Sequence, residues 1–406
     1  MAVLPISVIF LAFISIPYSI ANPNSPNASP KPSPVASPKP SPRASPKPSP
    51  VASPKPSPLA SPKPSPVASP KPSPLASPKP SPAASPNPRP LASPMPSAKP
   101  ALRADYYKTT CPDFEKIVRE YVHQKQTQSP STAAGALRVF MHDCFVDGCD
   151  GSVLISSNAF NAAERDSDIN LSLPGDAFDV VIKIKNALED ACPGVVSCAD
   201  ILTASTRNLV VMAGGPRFNV SFGRKDGLVS QAARIPGNLP TNNMTMDEIL
   251  KMFASKGFSI QEYVALMGAH TIGFAHCKEF SDRLFKFAPN QPTDPELNPK
   301  YAEALKAACK NHEQNITMTA FNDVMSPGKF DNSYFRGLPR GLGLLRVDNM
   351  LVKDPRTKPL VDQYASNEVK FFADFAAAME KLSLLEVKTD PKDGNVRRRC
   401  DAFNDA

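Results

Sequence analysis

The sequence predicts a mainly α-helical fold for residues 101–406, preceded by a long segment without a hydrophobic core. Apolar residues recur with helical spacing through almost all of this region. Two capping boxes, in which Ser or Thr precedes Glu by three residues, mark helix starts within it. Only Phe218–Phe222 alternates apolar and polar residues like a strand. Roughly 300 residues suffice for one large or two small cores.

The individual helices follow from start and stop signals along the chain. A first helix is expected after Cys111-Pro112, and the capping boxes pair Thr245 with Glu248 and Ser259 with Glu262. Asn298-Pro299 places proline at the favoured first position of another helix. The remaining predicted helices are Ala133–Cys144, Phe178–Cys192, Cys198–Ala213 and Glu368–Leu382.

Residues 1–21 are apolar, carry no charged side chain and end in small residues. This pattern predicts a secretory signal peptide with cleavage near Asn22, and a membrane anchor is the alternative. No later run of about 20 apolar residues occurs, so we expect no membrane span in the mature chain.

Residues 22–100 form a tail built on the octapeptide Ala-Ser-Pro-Lys-Pro-Ser-Pro-X, repeated seven times from Ala28. The tail holds 29 of the 47 prolines and no acidic or aromatic residue. Because such a segment cannot bury apolar surface, we expect a disordered, polyproline II-rich coil.

The tail also carries the chain's positive charge. It contributes +10, whereas the whole chain is +8, so the rest is mildly acidic at −2. A nucleic-acid role would need a basic face on the folded part or aromatic groups in the tail, and neither is evident. Regularly spaced lysines favour multivalent binding to polyanions such as cell-wall pectin. The alternative is a passive spacer.

All eight cysteines lie between Cys111 and Cys400. An even number behind a signal peptide predicts disulfides formed in an oxidising compartment. The number of possible pairings is large, so the sequence alone does not select one. Zinc binding is disfavoured because no paired CxxC motifs occur.

The most informative segment runs from Arg138 to Ser152. Arg138 and His142 are four residues apart and share one face of the predicted helix. A general base beside a fixed cation can take a proton from a small substrate and stabilise the anion that leaves.

The loop that follows has the composition of a hard-cation site. Several oxygen ligands for calcium could come from side chains and carbonyls together. A bridge between Cys144 and Cys149 would hold this loop closed. The potential ligands are Asp143, Asp150 and Ser152 with the carbonyls of Val146 and Gly148.

Taken together, these features resemble the distal haem motif of the secretory plant (class III) peroxidases, and the resemblance extends over residues 103–406. It implies a two-domain haem peroxidase fold, with haem b between distal and proximal helices, and two calcium ions. It further implies reduction of hydrogen peroxide, oxidation of small phenolic donors, and secretion to the cell wall. Roles in lignin or cell-wall phenolic cross-linking and in the response to oxidative stress would follow.

The resemblance also implies roles for residues outside the distal helix. Met-Gly-Ala-His-Thr-Ile-Gly is similar to the family's proximal segment, which makes His270 the haem-iron ligand and Asp348 its carboxylate partner. Asn170 would orient His142 and keep its Nε2 basic. Pro240 would lie near the approach of the donors.

A second cation site and the pairing of the cysteines follow only from the resemblance. A second cation site would use Thr271, Asp323, Ser326 and Asp331 with a carbonyl near Lys329, and Glu164 would assist the first site through water. The implied disulfides are Cys111–Cys192, Cys144–Cys149, Cys198–Cys400 and Cys277–Cys309.

The chain departs from the family pattern at Met141, where phenylalanine usually precedes the distal histidine. A thioether there would alter donor range or allow inactivation by peroxide. Asn170 begins a glycosylation sequon, but a glycan would conflict with a buried role, so we expect it to be unmodified. The better sequons are at Asn219, Asn243 and Asn315, and Asn27 is a weaker one.

Two other functions compete with an active peroxidase. One is a structural wall protein, in which the extensin- or arabinogalactan-like repeat acts and the folded region is a binding module. Another is a calcium-dependent carbohydrate-binding protein, which would need neither His270 nor Asp348. The joint presence of all five site residues favours the enzyme; these are Arg138, His142, Asn170, His270 and Asp348.

Overall fold

The computed structural model describes residues 102–405. The predicted signal peptide and the Pro-rich tail, with Asn27, lie outside these residues. Within 102–405, no helix is long and apolar enough to cross a membrane.

The described chain is mainly α-helical, as predicted. The helices among these residues are α1 (Phe114–Gln128), α2 (Thr132–Phe145), α3 (Gly175–Ala191), α4 (Cys198–Met212), α5 (Met246–Ser255), α6 (Ile260–Met267), α7 (Ser281–Phe285), α8 (Pro299–Ala308), α9 (Ser333–Gly337), α10 (Arg346–Lys353), α11 (Lys358–Ser366) and α12 (Glu368–Ser383). Short 3-10 turns occur at Ser152–Leu154, Glu164–Asp166, Ala232–Arg234, Gly268–Thr271, Cys277–Glu279 and Leu338–Arg340.

The predicted capping signals operate as expected. Thr245 accepts a hydrogen bond from the backbone of Glu248, whose side chain accepts from the Thr245 backbone, and α5 begins there. Ser259 and Glu262 form the same reciprocal pair at the start of α6. The side chain of Asn298 caps α8 immediately before its proline.

The strands are short and pair in two antiparallel ribbons. β1 (Asp226–Gly227) pairs with β4 (Gly394–Asn395), and β2 (Phe274–His276) pairs with β3 (Thr319–Phe321). The strand predicted at Phe218–Phe222 is wrong. Phe218, Val220 and Phe222 are buried, which explains the alternation, but only Phe222 forms a bridge, to Arg103. An extended segment without a neighbouring strand makes no ladder.

The large hydrophobic core lies between the helices that carry the candidate site. The central helix α4 is buried around nearly its whole circumference, and α2 and α3 pack on it. α12 packs across α6, so the site-bearing segments meet the same core. A smaller cluster surrounds Cys277 and Cys309.

Four disulfides cross-link the described residues, and they join the cysteine pairs that the resemblance implies. They are Cys111–Cys192, Cys144–Cys149, Cys198–Cys400 and Cys277–Cys309. The described chain contains no free cysteine.

Candidate active site

Helix α2 brings Arg138 and His142 to one face, one turn apart. The imidazole Nδ1 of His142 lies 2.6 Å from Oδ1 of Asn170. The Asn170 amide is itself oriented, because its Nδ2 donates to the carbonyl of Glu164 at 2.8 Å. Nδ1 of His142 is therefore the donor, which leaves Nε2 unprotonated and available as a base.

The electrostatic surroundings keep this base neutral. Burial and, second, the charge of Arg138 lower the pKa of His142 to about 3, against the opposing hydrogen bond to Asn170. His142 therefore has a free acceptor on Nε2 throughout the physiological pH range.

Arg138 is anchored by the segment that also carries Asn170. Its Nη1 donates to the Ser172 carbonyl, and its Nη2 donates to the Ile169 carbonyl and the Ser172 hydroxyl, each at 3.1 Å. Burial lowers the pKa of the guanidinium, and the nearby carboxylate of Glu279 opposes that effect. The result is a fixed cation beside the base.

Three buried carboxyl groups lie around the loop that follows α2, and we call this segment, residues 146–152, the distal loop. The groups belong to Asp143, Asp150 and Glu164. Oδ2 and Oδ1 of Asp143 accept from the backbone N–H groups of Gly151 and Val153. Burial and then the charge of Asp150 raise the pKa of Asp143 to about 7. Burial and then Asp143 raise the pKa of Glu164 to about 8. Mutual repulsion of this kind favours either protonation or a bound cation.

Ser152 lies within the same loop and donates to Glu164 Oε2 at 2.9 Å. Val146 and Gly148 are buried in the intervening turn. The structure thus brings Asp143, near the end of α2, and Glu164, in the Glu164–Asp166 turn, against the loop that carries Asp150 and Ser152. Glu164 connects that loop to the base, since its side chain meets Ser152 while its carbonyl holds Asn170.

The second histidine, His270, lies in the 3-10 turn that follows α6. Its Nδ1 is 2.8 Å from Oδ1 of Asp348, on α10. Burial raises the pKa of the Asp348 carboxyl, but its electrostatic attraction to the His270 imidazole and the hydrogen bonds from His270, Leu345 and Tyr334 together lower that pKa. Asp348 is thus a carboxylate that accepts a hydrogen bond from Nδ1–H of His270. In this arrangement Nε2 of His270 is the nitrogen available as a ligand.

The predicted second cation set also converges, in the loop before α9. The Ser326 hydroxyl lies 3.0 Å from both Asp323 Oδ2 and Asp331 Oδ1 and donates its single proton to one of them. The Thr271 hydroxyl lies 3.4 Å from both Asp323 Oδ2 and the Lys329 carbonyl. Burial raises the pKa of Asp323.

Both cation sets depend on oxygen ligands other than carboxylates. Within residues 102–405, no three His, Cys, Asp or Glu side chains form a metal-binding group by themselves. Hydroxyls and backbone carbonyls would have to complete either coordination shell, as a hard cation permits.

Pro240 and the predicted glycosylation sequons differ in their exposure to solvent. Pro240 is half-buried, between the Ala232–Arg234 turn and α5. Asn170 is 2% exposed and both ends of its amide are used, which disfavours a glycan. The described sequons at Asn219, Asn243 and Asn315 are exposed.

Sequence reasoning missed four side chains that complete these clusters. Tyr334 donates to Asp348 Oδ1 at 2.8 Å, and its motif Phe-Asp-Asn-Ser-Tyr-Phe was the only available signal. Lys388 contacts Asp150, and buried Arg397 donates to the Gly151 carbonyl. No local pattern connects residues so far apart in sequence. The fourth side chain is Glu279, whose charge opposes the lowering of the Arg138 pKa by burial.

Side chains on the two segments that carry the histidines fit a haem group. His270 presents Nε2, and its side chain is 28% exposed although its partner Asp348 is completely buried. Ala134, Met141, Met267 and Ala269 pack on the large core yet remain partly exposed. An imidazole donor beside small and apolar side chains matches what a flat apolar macrocycle requires.

Comparison with known proteins agrees with this geometry. The family model "Peroxidase" matches residues 118–367. Peroxidase 65 of Arabidopsis thaliana is 63% identical over 303 residues, covering 75% of this chain and 89% of the relative. This chain belongs to the class III plant peroxidase family. Peroxidase 41 and Peroxidase 6 of Arabidopsis thaliana are 60% and 55% identical over 305 residues, covering 75% of the chain and 92% and 93% of the relatives.

Family membership fixes the general activity. The chain is a haem-dependent peroxidase, an oxidoreductase that reduces hydrogen peroxide at the expense of a donor. The mainly helical peroxidase fold predicted from the sequence is confirmed.

Proposed function

We propose that this peroxidase oxidises small phenolic donors by one-electron steps in the plant cell wall. One turnover would convert one hydrogen peroxide and two phenols into two waters and two phenoxyl radicals. Family membership supports the proposal. The observation that carries the mechanism is the 2.6 Å contact between His142 and Asn170, because it supports Nε2 as the nitrogen that acts as the base.

In this mechanism, His142 Nε2 takes a proton from hydrogen peroxide and returns it to the outer oxygen, which leaves as water. Arg138 stabilises the negative charge that develops on that oxygen during cleavage of the O–O bond. Asn170 holds the imidazole in the required tautomer. All three residues lie on α2 or on the segment that anchors Arg138.

His270 and Asp348 would hold the haem from the opposite face. Haem, when bound, supplies the iron and the redox equivalents that peroxide reduction requires. Asp348 keeps the Nδ1 proton engaged and so increases the donor strength of His270 Nε2.

Two calcium ions would rigidify the two faces of the site. The distal ion would bind Asp143, Asp150, Ser152 and the carbonyls of Val146 and Gly148, with Glu164 assisting. The proximal ion would bind Thr271, Asp323, Ser326 and Asp331. Both sets are rich in oxygen donors, and hydrogen bonds join Ser152 to Glu164 in the first and Ser326 to Asp323 or Asp331 in the second, which supports this proposal.

Location and partners complete the proposal. Proteins of this family are secreted, and we extend this to the cell wall for the present chain. The cationic tail would bind wall polyanions, whereas the folded region would not bind nucleic acid. Pro240 would lie beside the approach of the phenolic donors.

The test uses the secreted, haem-loaded protein in a stopped-flow spectrometer. A Soret band that shifts rapidly on addition of hydrogen peroxide, and recovers with a phenolic donor, is expected. His142→Ala should slow the shift by orders of magnitude, while the exposed His123→Ala should not change it. Equal rates for both variants would contradict the proposed base, and a folded protein that takes up no haem would contradict the enzyme.

A further inference from the structure

A carboxylate near Arg138 has no part in the proposed mechanism. Glu279 ends the Cys277–Glu279 turn, nine residues beyond His270, and its side chain is 35% exposed. The Cys277–Cys309 disulfide fixes the start of this turn. The position of the carboxylate is therefore set by the fold rather than by a free surface loop.

Glu279 also contacts the segment proposed for donor approach. Asn242, two residues after Pro240, donates from Nδ2 to Glu279 Oε2 at 2.6 Å. Both Pro240 and Asn242 are half-buried. The carboxylate thus lies against the Pro240–Asn242 segment, with part of its surface in contact with solvent.

The charge of Glu279 reaches the interior of the site. It is the neighbouring charge that acts on Arg138, the buried cation of the distal face. Lys278 lies 3.6 Å from Glu279, but its side chain is 55% exposed and points its charge into high dielectric. A donor approaching along this segment would meet the carboxylate outside and Arg138 deeper within.

We propose that Glu279 is a specificity-determining residue that makes this enzyme favour neutral phenols over phenolic acids. The inference rests on the proposed function of the Pro240–Asn242 segment as the route for donors. A carboxylated phenol is repelled by Glu279 and is deprived of the full attraction of Arg138, whereas a neutral phenol is affected by neither charge. Asn242 holds the carboxylate in place and acts only through it.

The experiment compares two probes that differ in one charge, 4-hydroxycinnamate and its methyl ester. Their dissociation constants are measured from difference spectra of the resting holoenzyme, and kcat/KM is measured at saturating peroxide. The variant Glu279→Gln keeps an acceptor for Asn242 but removes the charge. The control Glu313→Gln neutralises another lysine-paired carboxylate, on Lys286, that is 62% exposed.

Glu279→Gln should tighten binding of 4-hydroxycinnamate about three- to tenfold and leave the methyl ester unchanged, as expected for one nearby charge in a partly solvated site. The difference should shrink at high salt, where the Debye length falls to about 3 Å. Glu279→Lys should tighten the binding of 4-hydroxycinnamate further, and Glu313→Gln should leave that binding unchanged.

Equal effects on both probes, or no effect of the Gln variant on the acid, would overturn the inference. Failure of the proposed function gives a different result. Suppose that neither probe is turned over but binding still depends on the charge at position 279. The proposed oxidation of phenols would then be contradicted, whereas the inference on charge selection would be supported.

Discussion

Tyr334 and His270 donate hydrogen bonds to the same oxygen, Oδ1 of Asp348, at 2.8 Å each. The second oxygen, Oδ2, accepts the backbone N–H of Leu345 at 2.7 Å. Asp348 therefore divides its negative charge among three donors. How strongly it polarises His270 depends on how much of that charge Tyr334 takes.

Tyr334→Phe should make Asp348 a stronger acceptor for His270. We expect the reduction potential of the haem-loaded protein to become more negative, and the free energy of unfolding to fall by about 1–3 kcal/mol. Tyr364→Phe is a matched control, because that phenol donates to Asp374 at 2.8 Å outside the site. A potential unchanged by Tyr334→Phe in redox titration would show that the shared oxygen has no electronic role.

Asn170→Ala should release the imidazole of His142 from its single tautomer. We expect the rate of the reaction with peroxide to fall about 10–100-fold, as for other partners that orient a histidine. Stopped-flow measurement of the Soret change checks this. Asn219→Ala removes an exposed asparagine and should leave the rate unchanged. A rate preserved in Asn170→Ala would mean that the contact does not select the tautomer.

Removal of calcium should destabilise the protein through the buried carboxyl groups. At a calcium concentration about 100-fold above Kd the ion would contribute about 2.7 kcal/mol, so a chelator should lower Tm by several degrees. Calorimetry with chelator, followed by calcium or magnesium, tests the expectation, and only calcium should restore Tm. Ser152→Ala should weaken the distal effect and Ser326→Ala the proximal one. A Tm insensitive to chelator would contradict both proposed ions.

Met141→Phe should lengthen the working life of the enzyme in excess peroxide. Met141 is half-buried directly before His142 on α2, so we expect its thioether to be oxidised by peroxide at the site. Mass spectrometry should show sulfoxide at Met141 in step with lost activity. Met212→Leu is the control, since Met212 is 39% exposed at the end of α4. Equal lifetimes for wild type and Met141→Phe would refute this role.

Deletion of residues 22–100 should abolish salt-dependent retention on a polygalacturonate column. The deleted segment carries +10 and the remainder is close to −2, so the truncated protein should flow through at neutral pH. Turnover of a soluble phenol should not change. Replacing the eight tail lysines with glutamine should reproduce the loss, and retention of that variant would assign binding to the folded region.

Local chemistry could be predicted from the sequence, whereas long-range contacts could not. The capping boxes gave the starts of α5 and α6, and the spacing of Arg138 and His142 placed both on one helical face. His270 and Asp348 are 78 residues apart, so their pairing followed only from family resemblance. The contact of Lys388 with Asp150 has no local pattern at all. The strand predicted at Phe218–Phe222 failed because burial imposes alternation whether or not a partner strand is present.

Glu164 serves two neighbours with chemically separate atoms. Its carboxyl group meets Ser152, whereas its main-chain carbonyl holds Asn170. Every amino acid retains a carbonyl, so replacement of the side chain leaves the oriented base in place. Affinity for the proposed distal cation would therefore change with single substitutions at this position, during evolution or engineering, while the contact between His142 and Asn170 is kept.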